Sequence, residues 1–203
     1  MVDLDRALKF PTADRDWTRK VLIGGVLNII PVINFFAIGY AYRLFGKALR
    51  RQQLSLPEWE DWRDLFVQGL IAFLIGLIYN LASLVLFFIH PALGFLAFIA
   101  VALLFPAALA QHASTGNFSQ AFDLKEIWGK IQQTKGDYFI AWLVMVGISI
   151  LLMVIWMIPG LGWIISAIIG FYAYLVFAVL FGEICSRPKP PTQNSYEPPP
   201  GAE

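Results

Sequence analysis

Charge is what this chain has least of. Only 14% of its 203 residues are charged, while 58% are hydrophobic. A soluble domain carries about 25% charged residues. The shortage is local. No Asp, Glu, Lys or Arg falls between Val67 and Gln111, and none between Tyr138 and Gly182. Crossing ~30 Å of hydrocarbon takes roughly 20 apolar residues, so each gap has room for two crossings. An ordinary soluble domain is excluded, and an integral membrane protein is expected. Cysteine is nearly absent too: Cys185 stands alone, which rules out an intrachain disulfide and a Cys-pair metal site.

Other absences narrow the chemistry. No carboxylate lies inside an apolar arm before Glu183, so a buried proton-relay acid or a pair of Asp is missing. His90 and His112 are the two histidines, and they are not spaced to bind a metal on one helical turn. Gly24-Gly25 lacks the Lys and Ser/Thr that a phosphate loop needs. A net charge of +1 offers no basic field to nucleic acid. No catalytic residue, no cofactor and no metal ligand is expected, and the protein is read as not an enzyme. No cleaved signal peptide is expected either, because Asn28, Pro31 and Asn34 interrupt the first apolar run.

What is present is a pattern used three times: Pro, any residue, Ile or Leu, Asn or Gly, then an aromatic ring. The copies begin at Pro31, Pro91 and Pro159 and end at Phe35, Phe95 and Trp163. Pro breaks a helix, and Gly or Asn tolerates the backbone of a turn. Each copy is read as the apex of a helical hairpin. The apolar hairpins then cover about 21–42, 65–111 and 138–184. Pro106 is expected to kink the return arm of the second.

Polar connectors separate the hairpins. In the first, Ser55-Leu56-Pro57-Glu58 has the form of a capping box. It predicts an amphipathic helix carrying Trp59 and Trp62 in the headgroup layer. In the second, Phe118, Ala121, Leu124, Ile127, Trp128 and Ile131 recur at helical spacing. Residues 186–203 hold six of the twelve prolines and read as a disordered tail.

Cations set the topology. Of the fifteen Lys and Arg, five precede the first hairpin, five follow it, three lie between the second and third, and two lie in the tail. Positive residues stay in the cytoplasm. The N-terminus, both connectors and the tail are therefore expected there, in a multi-pass protein of the cell membrane. The run 21–42 is then re-entrant, since ten residues of helix rise only ~15 Å. A single kinked span is the alternative, and it would divide the connectors between the two faces.

Two groups are candidate contacts. Arg43, Lys47, Arg50 and Arg51 beside Trp59 and Trp62 suit anionic headgroups. Asn34, Asn80 and Tyr172 are candidates for a polar lining, with interhelical bonding as the structural alternative. Gly69, Gly76, Ala107, Ala110, Ser166 and Gly170 permit close helix approach.

Taken together, certain stretches resemble a known family. They are Asp16-Trp17, Ile23-Gly24-Gly25-Val26-Leu27, Ile30-Pro31-Val32-Ile33-Asn34, Gly39-Tyr40, Leu56-Pro57-Glu58-Trp59-Glu60-Asp61-Trp62, Leu65-Phe66, Gly69 and Phe122–Trp128. The chain resembles the uncharacterised multi-pass membrane family catalogued as domain of unknown function 4013, over roughly residues 5–185. The resemblance implies no assigned activity and no established catalytic residues.

The expected fold is an all-α membrane protein, a single membrane domain over residues 1–185. It has four transmembrane helices, an N-terminal re-entrant or kinked helical hairpin, and amphipathic helices on the cytoplasmic side. The expected function is structural or accessory, engaging membrane lipid or an unidentified protein partner. The alternative is a carrier or passage for a small neutral or apolar solute.

Overall fold

The computed structural model describes residues 3–186; the expected Pro-rich tail lies outside them, apart from Ser186. The described residues form eight α-helices. They are α1 (Leu4–Lys9), α2 (Trp17–Ile29), α3 (Asn34–Leu49), α4 (Trp62–Ile89), α5 (Pro91–Thr115), α6 (Leu124–Gln133), α7 (Lys135–Trp156) and α8 (Leu161–Cys185). Short 3-10 turns at Phe10–Ala13 and Phe118–Phe122 complete the set.

Four helices, α4, α5, α7 and α8, are long and apolar enough to cross a membrane. At 1.5 Å per residue even the 22 residues of α7 reach about 33 Å. Their halves next to the α4–α5 and α7–α8 turns expose apolar side chains. Phe88 is 81% exposed at the end of α4, and Met157 is 71% exposed just past α7. Such surface is costly in water and natural in lipid. The chain is a multi-pass membrane protein.

The three repeated turns share a sequence pattern but are built differently. His90 alone separates α4 from α5, and its Nδ1 accepts a hydrogen bond from the amide of Ala92 at 3.2 Å. Gly160 takes φ 77° between α7 and α8. In both of these hairpins the glycine three residues after the Pro lies against the outgoing helix, Gly94 on Phe87 and Gly162 on Ile155. A side chain there would push the arms apart. The first turn has Asn34 at that position and Val32 at φ 70°, a strained conformation for a β-branched residue.

The expected break near Pro31 is present, and it divides the first apolar run into α2 and α3. Both lie along α8 in opposite directions. Gly24 and Asn28 of α2 meet Phe171 and Ala167 in turn. Tyr40 and Phe45 of α3 meet Phe171 and Phe177, and Ala48 meets Gly182. α3 also crosses α4 closely, and α5 packs beside it through Tyr42 and His112, whose Oη and Nδ1 are 2.5 Å apart.

Pro106 stays inside α5. The break it makes in the hydrogen-bond ladder is filled from α7. The Tyr138 hydroxyl accepts from the amide of Ala107 at 3.2 Å and donates to the carbonyl of Leu103 at 2.7 Å.

The helix expected from the capping box does not form. Residues 52–61 run without helix, and α4 begins at Trp62 after Asp61 in the left-handed region, φ 53°. The reason is tertiary. Glu58 pairs with Lys20 instead of capping, and Trp59 turns inward.

Candidate functional site

The Leu56–Trp62 stretch folds as a clasp over the first helix pair. Lys20 is 5% exposed at the buried end of two ion pairs, to Asp14 at 3.0 Å and Glu58 at 2.6 Å. Burial opposes its charge, but the hydrogen bonds it donates to Glu58 and Asp14 prevail and its pKa is raised. The carbonyl of Lys20 accepts the Trp59 indole N–H at 3.2 Å. Trp59 stacks on Tyr40 with ring centres 4.3 Å apart, and Tyr40 donates to the carbonyl of Pro57 at 2.6 Å. Of the two tryptophans expected at the headgroups, Trp59 is thus packed and half-buried, while Trp62 is 44% exposed beside it.

The basic group is spoken for in part. Arg43 bonds Asp64 at 2.9 Å and the carbonyl of Glu60 at 3.3 Å. Arg50 donates to the carbonyl of Ala113 at 3.1 Å, near the end of α5. Arg51 donates to the carbonyl of Ser186 at 3.2 Å, just past α8. Helix C-termini carry partial negative charge, so these arginines complement them. Lys47 is half-buried in the last turn of α3. Nearby, Lys130 of α6 donates to Ser114 at 3.2 Å, and burial lowers its pKa.

α6 carries two apolar stripes. Ile127 and Ile131 are buried against the bundle, while Leu124 and Trp128 are exposed. Its N-terminus is capped by Asp123, which accepts from the amides of Lys125 and Glu126. The helix joins two membrane-length helices, so its outward stripe lies at the rim of the bundle.

Among the described residues a cleft of about 600 Å³ is walled by α3, α4, α5, α7 and α8. Ligand pockets usually fall between roughly 300 and 1,000 Å³. Its lining has no Asp, Glu, Lys, Arg or His; its polar members are Tyr42, Asn80, Trp142, Ser149 and Tyr174. Of the three residues expected to share a polar lining, the cleft takes in Asn80. The amide of Asn80 donates back to Gly76 at 2.8 Å. Asn34 lies outside the lining with its Oδ1 buried and unpartnered. Tyr172 is also outside and donates to the carbonyl of Leu8 at 2.5 Å.

Sequence reasoning missed Trp142, which lines the cleft and whose Nε1 finds no partner. A tryptophan inside an apolar run carries no mark that separates a cleft wall from a lipid-facing ring. No group of three His, Cys, Asp or Glu side chains placed to hold a metal occurs among the described residues. The arrangement offers an apolar hollow with a few hydrogen-bonding groups.

No curated protein and no solved structure matches the chain. A family model described as "Protein of unknown function (DUF4013)" matches residues 23–161. That span takes in the first turn, the clasp, the α4–α5 hairpin, α6 and α7, and with them most of the cleft. On this match over more than half its length, the chain belongs to the DUF4013 family.

Proposed function

We propose that the protein is a non-enzymatic structural or accessory membrane protein that engages lipid through the cleft between its hairpins. The observation that carries this is the cleft itself, about 600 Å³ in volume with no charged residue in its lining. A hydrocarbon chain meets such walls without loss of hydration, whereas an ionic solute would meet no counter-charge. The exposed Leu124 and Trp128 of α6 suit the headgroup boundary beside it.

The membrane arrangement proposed with it has the α2–α3 hairpin re-entrant and both chain ends cytoplasmic. The length of α2 supports this: 13 residues reach only about 20 Å, short of the ~30 Å hydrocarbon. So does the ion pair of Arg6 with Glu183 at 3.6 Å, which brings the N-terminal helix to the end of α8. A carrier would be favoured by one cavity joining Asn34, Asn80 and Tyr172, and the cleft's lining includes only the second.

Native mass spectrometry of the purified protein tests the reading. The wild type is expected to keep a lipid through detergent exchange, and Ala102→Trp, which fills the cleft, is expected to lose it. Equal retention by the two would sink the proposal. Solute uptake into liposomes above the level of empty vesicles would favour the carrier.

A further inference from the structure

The cleft shares part of its wall with another hollow. This second hollow, of about 420 Å³, lies along the α4–α5 hairpin and reaches Phe87 and Gly94 near the turn. Leu77 and Asn80 line both hollows. Neither lining contains a charged side chain.

Several polar side chains on the long helices return their donors to their own backbone. Asn80 bonds Gly76, Ser114 bonds Ala110 and Ser149 bonds Met145. Each takes a carbonyl one turn back, the cheap solution in lipid. Ser83 breaks the habit. It is 6% exposed, it lines the second hollow, and its Oγ has no partner. Trp142, which lines the cleft, also has a buried and unpartnered Nε1, and an indole N–H can only donate. A buried donor left unpaired is costly, so each such group calls for an acceptor.

Size selects the occupant. A membrane-spanning helix is a cylinder of ~10 Å by ~30 Å, roughly 2,400 Å³. That is well beyond the two hollows together. A slender chain fits within them, whereas a partner helix could only lie across their openings.

We propose that the two hollows form one track for a single uncharged apolar chain that carries a carbonyl acceptor, of the fatty-acyl ester class. The chain lies between the hairpins, passes Leu77 and Asn80, and takes a hydrogen bond from Ser83 at its carbonyl. Trp142 offers a second donor in the cleft. This assignment rests on the lipid-engaging reading above and adds the chemical class.

The test uses the full chain in detergent micelles and a diazirine-bearing fatty-acyl methyl ester as photoprobe. Labelled peptides are expected from α4 and α5 between Leu77 and Phe98. Unlabelled methyl ester should compete roughly fivefold better than a hydrocarbon of equal length, the worth of one hydrogen bond. Ser83→Ala should erase that preference and leave competition by the hydrocarbon unchanged, while Ser83→Thr should keep it. Leu77→Trp, at the junction of the hollows, should cut labelling by both arms, with circular dichroism confirming that it folds. Labelling in neither hollow would overturn the lipid-engaging reading as well. Labelling with equal competition by ester and hydrocarbon, or stronger competition by the free fatty acid, would overturn the carbonyl assignment alone.

Discussion

The hydroxyl of Tyr138 sits in the backbone ladder of α5 one residue past Pro106, between the amide of Ala107 and the carbonyl of Leu103. Those two groups would bond each other in an unbroken helix. With Tyr138 only 1% exposed, no water reaches them when the phenol is shortened. Tyr138→Phe is expected to cost about 2 kcal/mol, the penalty of unpaired buried backbone groups. Equilibrium unfolding of the detergent-solubilised protein measures it. In a Pro106→Ala background the ladder can close on itself, and the same change should cost about 1 kcal/mol less. An equal cost in the two backgrounds would show that Tyr138 acts through packing alone.

Gly39 and Gly69 face one another where α3 crosses α4. A Cβ on Gly39 would strike the carbonyl of Leu65, and one on Gly69 would strike the carbonyl of Phe35. The obstacles are backbone, so they cannot swing aside. Gly39→Ala or Gly69→Ala should each cost about 3 kcal/mol, the upper range for overpacking. The double variant should cost little more than either single one, because the first methyl already parts the helices. Additive losses would mean that the two sites do not share one crossing.

Four long helices could be read from the chain because burial in lipid acts on every residue of a span, and charge marks the ends. The break near Pro31 was legible for the same reason: proline acts on its own backbone. The segment at Ser55–Glu58 misled because its signals are local while its partners are distant. Lys20 pairs with Glu58 while Tyr40 and Phe171 hold Trp59 inward across the sequence, and the helix a capping box would start gives way. The cleft is harder still. Trp142, Asn80 and Tyr42 come from three helices, and nothing in an apolar alphabet says which faces will fail to close. Ser83 could be noted as a polar residue within an arm, but not as an unpartnered one.

The clasp makes Lys20 a distinct site of stability. Lys20→Met leaves Asp14 and Glu58 without their cation, and Glu58 at 67% exposed can rehydrate while Asp14 at 18% cannot do so fully. A loss of about 2 kcal/mol is expected, between that of an exposed and of a fully buried pair. The pH dependence has a definite sign. The pKa of Lys20 is raised from 10.5, so its contribution is complete at neutral pH and fades as pH rises through the raised value. Melting curves from pH 8 upward should fall more steeply for the wild type than for Lys20→Met. Parallel curves would mean that the ion pairs add nothing to the clasp.

Topology gives the sharpest division between a re-entrant first hairpin and a single span. Cys185→Ser removes the one native thiol, and single cysteines are then placed at Ala92, Leu161, Ser119 and Val32. Ala92 and Leu161 follow the turns of the two long hairpins, and Ser119 lies in the connector between α5 and α6. A membrane-impermeant maleimide applied from outside should label the first two and spare Ser119, which should react only after the membrane is opened. Val32, at the apex between α2 and α3, should resist from both sides, because a helix of 13 residues reaches only about 20 Å into the bilayer. Ready labelling of Val32 from outside would make that segment a full crossing. The five cations before it and the five after it would then lie on opposite faces, against the bias that keeps Lys and Arg in the cytoplasm. The ion pair of Arg6 with Glu183 weighs against that outcome, since both ends of the described chain meet there at 3.6 Å, and two charges cannot pair across a bilayer.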